Sequence, residues 1–332
     1  MLDQADIQKI LHNVLEYSFD EEGFLHFFRF SKLQRQAYID DKSRDWVAKS
    51  RSGASATLDF ITDSDYIALR YSLLPGSSQK YGSIDLYVDG AMYESRYMED
   101  LVAIQAGFQL PPGEHRVTVY FPWTTETILK QVHLSDGASV IPVEKSCRMM
   151  CFGDSITQGY VAKYTSLSYV NQVARALDAE VINQGIGGYV FNDAVIDESI
   201  QAFKPDILTV AYGTNDYSRN ETFDAYSAKA SRYIEKLAKL FPNIPIVGIL
   251  PIYRNDHNNV VRELYRDYKL DDARKFLKEQ YLALPNGYVI EETGIPHLPM
   301  AFAADLLHPN DLGFTLMAQG IAPQLKKILE ER

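Results

Sequence analysis

Near residues 141–146 the apolar pattern of this 332-residue chain changes its period, and a single fold class cannot serve both sides of that change. Upstream, Tyr66-Ile67-Ala68-Leu69-Arg70-Tyr71, Ser83-Ile84-Asp85-Leu86-Tyr87-Val88 and Arg116-Val117-Thr118-Val119-Tyr120 alternate or concentrate β-formers. Pro75-Gly76, Asp89-Gly90 and Pro111-Pro112-Gly113 punctuate these runs with turn chemistry. Short strands at near-regular spacing predict an all-β, jelly-roll-like sandwich over residues 24–139, with a short leading helix within residues 1–23. Downstream, short buried strands are expected at residues 148–152, 180–182, 206–212, 244–250 and 287–291, with helical segments between them. Tyr169, Val170, Val173, Ala174 and Leu177 share one helical face, as do Tyr226, Ala230, Tyr233, Ile234, Leu237 and Phe241. Strands alternating with helices predict an α/β domain, a three-layer α/β/α sandwich on a mainly parallel five-stranded sheet. The last helix is expected to start at Asn310 or Asp311, to bury Leu312, Met317, Ile321, Leu325 and Ile328, and to kink or end at Pro323. The chain therefore divides into an N-terminal β domain, residues 1–145, and an α/β domain, residues 146–332.

Charge and cysteine content exclude several classes of partner. Lys and Arg number 33 against 44 Asp and Glu, a formal net charge of −11 that repels phosphate backbones and anionic membrane surfaces. No nucleic-acid or membrane partner is expected. Residues 1–9 are polar and acidic without an apolar signal core, and no stretch approaches the roughly 20 apolar residues of a bilayer span, so a cytoplasmic protein is expected. Cys147 and Cys151, the two cysteines, lie in one predicted strand four residues apart, at about 3.3 Å per residue, beyond disulfide reach. They are read as reduced and structural.

Chemistry-bearing residues follow the predicted strands. Gly153-Asp154-Ser155-Ile156 follows the first, Asn183-Gln184-Gly185-Ile186-Gly187-Gly188 the second and Gly213-Thr214-Asn215-Asp216 the third, while Asp305-Leu306-Leu307-His308 comes after the fifth. Ligands of an open parallel sheet collect beyond the carboxyl ends of its strands, so these segments are expected at one rim. A serine hydroxyl is a poor nucleophile unless a base takes its proton during attack, and an imidazole suits that role near neutral pH. Ser155, His308 and Asp305 supply the nucleophile, the base and the carboxylate that orients it, with Asp305 and His308 expected on one helical turn. The N–H groups of Ser155 and Gly188 and the amide of Asn215 are candidates for an oxyanion hole.

Each fragment alone also has a plain structural reading: a Gly-Asp-Ser tripeptide arises by accident in roughly one chain in ten of this length. Asp154, adjacent to the serine, reads as a turn anchor rather than a catalytic acid. His257 and His297 lack a carboxylate at metal-ligand spacing, and no metal is expected. The Gly185-Ile186-Gly187-Gly188 cluster is not a dinucleotide fingerprint, so no cofactor is expected. Trp46, Trp123 and the tyrosines either fill cores or stack on sugar rings, and Asp216 and Tyr217 are candidate pocket residues.

The order and content of these motifs resemble the SGNH, or GDSL-type, hydrolase and esterase family over residues 147–331. Ser155 in Gly-Asp-Ser looks like the family nucleophile, Gly188 like its glycine block, Asn215 in Gly-Thr-Asn-Asp like its asparagine block, and Asp305 with His308-Pro309 like its last block. The resemblance implies a flavodoxin-like α/β/α domain and a serine esterase forming an acyl-enzyme. The preceding β domain resembles that of two-domain carbohydrate esterases, which implies removal of small acyl groups, acetyl above all, from a small-molecule or oligosaccharide ester. The alternatives are a lipid or thioester acylhydrolase and a non-catalytic carbohydrate-binding protein.

Overall fold

The structure, a computed structural model, describes residues 1–42, 46–219, 222–254, 267–296 and 298–331. Its N-terminal half is two antiparallel sheets. One orders Leu11–His12, Thr57–Thr62, His115–Tyr120, Gly82–Val88 and Ala91–Met98, with Ile141–Pro142 also pairing Thr57–Thr62. The other orders Glu16–Phe19, Leu25–Phe28, Thr125–His133, Tyr66–Pro75 and Gln105–Gln109. Alternate residues of both sheets turn inward, so that Leu58, Phe60, Leu86, Val117 and Val119 meet Phe27, Leu69, Phe108, Leu129 and Val132 in one core. Asp89-Gly90 forms the expected tight hairpin, both residues having positive φ and Val88 pairing Ala91.

The sandwich is larger at both ends than its sequence pattern predicts. The leading helix covers only Gln4–Ile10, Leu11–His12 is a strand whose partner, Thr57–Thr62, is remote in sequence, and Glu16–Phe19 forms a hairpin with Leu25–Phe28. Two further helices, Lys32–Asp40 and Trp46–Ser50, interrupt the β-rich half. The first carries a capping box between Ser31 and Gln34, a signal present in the sequence.

The second half has a five-stranded parallel sheet, ordered Ala179–Gly185, Cys147–Gly153, Ile207–Ala211, Ile246–Ile249, Gly287–Ile290. Helices Phe223–Leu240 and Leu270–Leu282 cover one face, where Met150, Phe152, Leu208 and Val210 point. Tyr169–Leu177 and Asp311–Glu330 cover the other, over Met149, Cys151, Val181 and Val247. This is the predicted α/β/α domain behind an all-β domain. Cys147 and Cys151 are free thiols, the latter buried. Asn310 caps the last helix as expected, but the helix runs through Pro323 rather than ending there, and Leu312 is exposed while Phe314 fills the stripe. Among the described residues no helix is long and apolar enough to cross a membrane.

The two halves share polar and apolar material. Phe30, Tyr38 and Trp46, from the N-terminal half, belong to the apolar cluster on one face of the parallel sheet. The edge strand Ala179–Gly185 is covered by side chains: Asn13 Oδ1 accepts from Val181 N–H at 2.7 Å, and Arg29 donates to the carbonyls of Asn183 and Gly185. Arg29 is fully buried and also donates to the Ser52 carbonyl at 2.7 Å and to Ser52 Oγ at 2.8 Å. Gly185 is required where it lies, because a Cβ there would stand 2.3 Å from the Gln158 backbone nitrogen. Each buried polar group left without its partner costs about 1–3 kcal/mol. Arg29 also donates to the Lys49 carbonyl at 3.2 Å, so replacing it by Met deprives four carbonyls of a donor, and the urea midpoint of Arg29→Met is expected to fall by an amount equivalent to about 3 kcal/mol or more.

Candidate active site

The nucleophile candidate sits at a junction fixed by local chemistry. Strand Cys147–Gly153 ends at Asp154, whose carboxylate accepts from Ile156 N–H at 2.9 Å and caps the short helix Ser155–Gln158. Asp154 is thus the turn anchor the sequence suggested. Ser155, as first residue of that helix, has an N–H without an intrahelical acceptor. Its hydroxyl lies 2.8 Å from His308 Nε2, and His308 Nδ1 lies 2.6 Å from Asp305 Oδ2.

Asp305 and His308 are not on a helical turn. They occupy a tight loop closed by a bridge between Phe302 and Pro309 and by the Ala303 N–H donating to the His308 carbonyl at 2.8 Å. Leu306 adopts φ +56° there, and the Asp305 carboxylate accepts from the Leu307 and His308 N–H groups, each at 3.0 Å. Partial burial opposes ionisation of Asp305, but the hydrogen bonds from the His308 ring and these N–H groups outweigh it and hold the carboxyl well below the usual carboxylate range. An ionised Asp305 requires the proton on Nδ1, which leaves Nε2 as the acceptor for the Ser155 hydroxyl.

The remaining candidates lie on the same rim. Gly188, with φ +83°, follows the second strand in a turn that a side chain would strain. Asn215 lies in helix Thr214–Ser218 after the third strand, and its Nδ2 donates to the Tyr189 carbonyl at 3.0 Å, leaving the other amide hydrogen for a ligand. Ser155, Gly188, Asn215, Asp305 and His308 together line a cleft of about 210 Å³. Strand Ala179–Gly185 runs through Asn183 to Gly185, so only the residues from Ile186 onward form the loop.

Several residues of this cleft escaped the sequence reading. Lys49, Ser77 and Ser78 come from the N-terminal half, and Gln158 and Tyr160 from the segment after the serine. The Tyr160 ring stands 4.6 Å from the His308 ring, centroid to centroid, and its hydroxyl lies 3.1 Å from Ser78 Oγ. No local motif marks these positions. Asp216 and Tyr217 do not line the cleft: both are buried, Asp216 accepting from Phe191 N–H at 3.2 Å and Tyr217 packing on Tyr268. Trp46 and Trp123 are core residues, each only 1% exposed, with no face open to a sugar. His257 and His297 lie outside the described residues. Among the described residues, no three His, Cys, Asp or Glu side chains are grouped to hold a metal ion.

Two carboxylates within four positions of the site's key groups thus have opposite environments. Burial pushes Asp154 up to about 6, against the Ile156 hydrogen bond, which lowers it. A folded-state value above the unfolded one means that the contribution of Asp154 to stability is fully present below about pH 4 and is lost as pH rises through about 6. Asp154→Asn keeps an acceptor for Ile156 and cannot ionise. In urea unfolding between pH 4 and 7, the wild type is expected to lose stability relative to Asp154→Asn, by up to about 3 kcal/mol.

A model of the GDSL-like lipase/acylhydrolase family matches residues 151–316, half of the chain. No curated protein matches it by sequence. Among solved structures, a salicylyl-acyltransferase from a tetracycline biosynthetic pathway superposes with a TM-score of 0.78 at 18% identity, covering 96% of this chain and 94% of the other. A family two carbohydrate esterase from Cellvibrio japonicus gives 0.64 at 18%, covering 98% and 97%. Another from Clostridium thermocellum, in complex with cellohexaose, gives 0.67 at 14%, covering 96% and 99%. At such identities these likenesses establish a common two-domain fold. The family match over half of the chain shows that it belongs to the GDSL-like lipase/acylhydrolase family, and its fold follows the two-domain plan of the family two carbohydrate esterases.

Proposed function

We propose that the chain is a serine esterase that removes small acyl groups, acetyl above all, from a carbohydrate. The observation that carries this reading is the continuous relay Asp305–His308–Ser155, with contacts of 2.6 and 2.8 Å, opening into a cleft. Ser155 Oγ attacks the ester carbonyl carbon while His308 Nε2 takes its proton, and Asp305 stabilises the imidazolium. The oxyanion is received by the Ser155 and Gly188 N–H groups and the Asn215 amide. Collapse breaks the bond to the sugar oxygen, which leaves with the proton from His308. Water, deprotonated by the same ring, then hydrolyses the acyl-enzyme.

Size and polarity support a short acyl group and a hydroxylated carrier. The cleft of about 210 Å³ is smaller than the roughly 300–1,000 Å³ of drug-sized ligand sites. Lys49, Ser77, Ser78 and Tyr160 bring hydrogen-bonding groups to its lining. Carbohydrate as the carrier is further supported by the carbohydrate esterases among the structural neighbours, an argument by fold analogy.

Three measurements test the proposal. A fluorophosphonate probe is expected to label Ser155, and Ser155→Ala to lose both labelling and hydrolysis. Retained hydrolysis in that variant rejects the mechanism, and sugar binding by a wild type that hydrolyses nothing leaves a binding protein alone. Asp305→Asn is expected to lower kcat by about 10⁴-fold, as the loss of the orienting carboxylate does in other serine hydrolases. Turnover of p-nitrophenyl acetate is expected to exceed that of the octanoate at least tenfold, and acetylated saccharides then identify the carrier. Preference for the longer chain would reassign the site to lipid or thioester substrates.

A further inference from the structure

Three consecutive carbonyls of the glycine loop are held by side chains from two elements, helix Trp46–Ser50 and helix Thr214–Ser218 with its C-cap residue. Lys49 Nζ donates to the Gly187 carbonyl at 2.7 Å, Arg219 to that of Gly188 at 2.8 Å and Asn215 Nδ2 to that of Tyr189 at 3.0 Å. The loop is a turn, with Tyr189 N–H returning to the Ile186 carbonyl at 3.0 Å and Gly188 third at φ +83°. That is the type II pattern, in which the central peptide, here the Gly187 carbonyl and the Gly188 N–H, is flipped relative to type I. Between two glycines no Cβ opposes either orientation, so the local sequence does not choose one. A trans peptide directs its C=O and N–H to opposite sides. Whatever captures the Gly187 oxygen therefore decides where the Gly188 N–H points.

We infer that Lys49 is a positioning residue for the oxyanion hole: it captures the Gly187 carbonyl and thereby presents the Gly188 N–H to the acyl oxygen on Ser155. The inference rests on the esterase reading above and adds to it a role for the N-terminal half. Lys49 comes from helix Trp46–Ser50, and its ammonium stands over the Trp46 ring, 5.3 Å from the centroid. Trp46 is in turn fixed edge-on against Tyr189, at 4.9 Å between ring centroids. The preceding N–H, of Gly187, donates to Gln158 Oε1 at 2.7 Å, and Gln158 Nε2 donates to Ser52 Oγ at 3.1 Å. The glycine loop is thus gripped on both sides of its central peptide through residues 46–52. A cation on the carbonyl oxygen also draws charge from the same peptide, making its N–H a stronger donor to an oxyanion.

Lys49→Met removes charge and donor while keeping the stem. With p-nitrophenyl acetate, kcat is expected to fall about 10- to 100-fold, less than the about 10²–10³-fold cost of deleting a donor outright, with KM within threefold of the parent. A small boronic acid, whose tetrahedral adduct on Ser155 needs the same donor, should lose affinity in step with kcat. Lys49→Arg should keep kcat within about threefold. A Lys49→Met protein whose kcat stays within twofold, or whose loss lies in KM with boronate affinity unchanged, overturns the inference. Should Lys49→Met fail to fold, Lys49→Arg decides: kcat and boronate affinity near the parent support the inference, while a folded Arg variant with kcat down tenfold and boronate affinity intact rejects it. Ser155→Ala separates the two readings. Hydrolysis surviving there defeats the esterase proposal itself, whereas an inactive Ser155→Ala beside an unimpaired Lys49→Met defeats the Lys49 inference alone.

Discussion

A guanidinium buried at the edge of a parallel sheet is the constraint around which the two halves are arranged. The outer strand of such a sheet carries backbone groups without a neighbouring strand, and burying them unpaired is costly. Arg29 answers the Asn183 and Gly185 carbonyls and Asn13 answers the Val181 N–H. Burial pushes Arg29 down to about 9, so the side chain remains charged at neutral pH and every N–H it offers must be used. Ser52 accepts two of them, at its carbonyl and its hydroxyl oxygen, and the Lys49 carbonyl accepts another. The N-terminal sandwich is therefore tied to the sheet by directional bonds at one strand, not only by apolar contact.

That strand is also the one that delivers the glycine loop. Its neighbour Cys147–Gly153 delivers the serine, with Ile207–Ala211 on the other side delivering Asn215. With the first strand second in the spatial order, chain connections leave it in both directions, and the crevice at its carboxyl end is where ligands of open α/β sheets collect. Loops from three adjacent strands thus meet without any long excursion. The imidazole arrives from elsewhere, on the loop that precedes Asn310, the cap of the last helix, and packs under Tyr160. A packed sheet sets three of the positions and a self-bonded loop sets the fourth.

Two acidic residues near the serine illustrate how environment assigns roles. Asp305 accepts from a ring nitrogen and two backbone N–H groups and stays ionised, which is what a partner for an imidazolium requires. Asp154 is enclosed, with one backbone N–H bonded to its carboxylate, and is pushed toward neutrality. It shapes the turn that carries Ser155, and its chemistry is spent on that.

Much of this was legible in the chain itself, because period and local spacing encode it. Five strands of the second half, the faces of Tyr169–Leu177 and Phe223–Leu240, the Asn310 cap and the Asp89-Gly90 hairpin all follow from patterns within one element. The candidate residues Ser155, Gly188, Asn215, Asp305 and His308 were marked because each stands in a short motif after a strand. What escaped had no local signature: Leu11–His12 is a strand only because the distant Thr57–Thr62 lies beside it. The same holds for the turn that seats Asp305 beside His308, which owes its shape to the Phe302–Pro309 bridge rather than to helix spacing. Lys49, Ser78 and Tyr160 reach the cleft through packing between the two halves, Lys49 meeting Gly187 across 138 positions and Ser78 meeting Tyr160 across 82. Sequence determined which chemical groups this protein carries and the period of each element; tertiary structure alone decided which of them share a cleft, because contact across an interface depends on distances that no local pattern records.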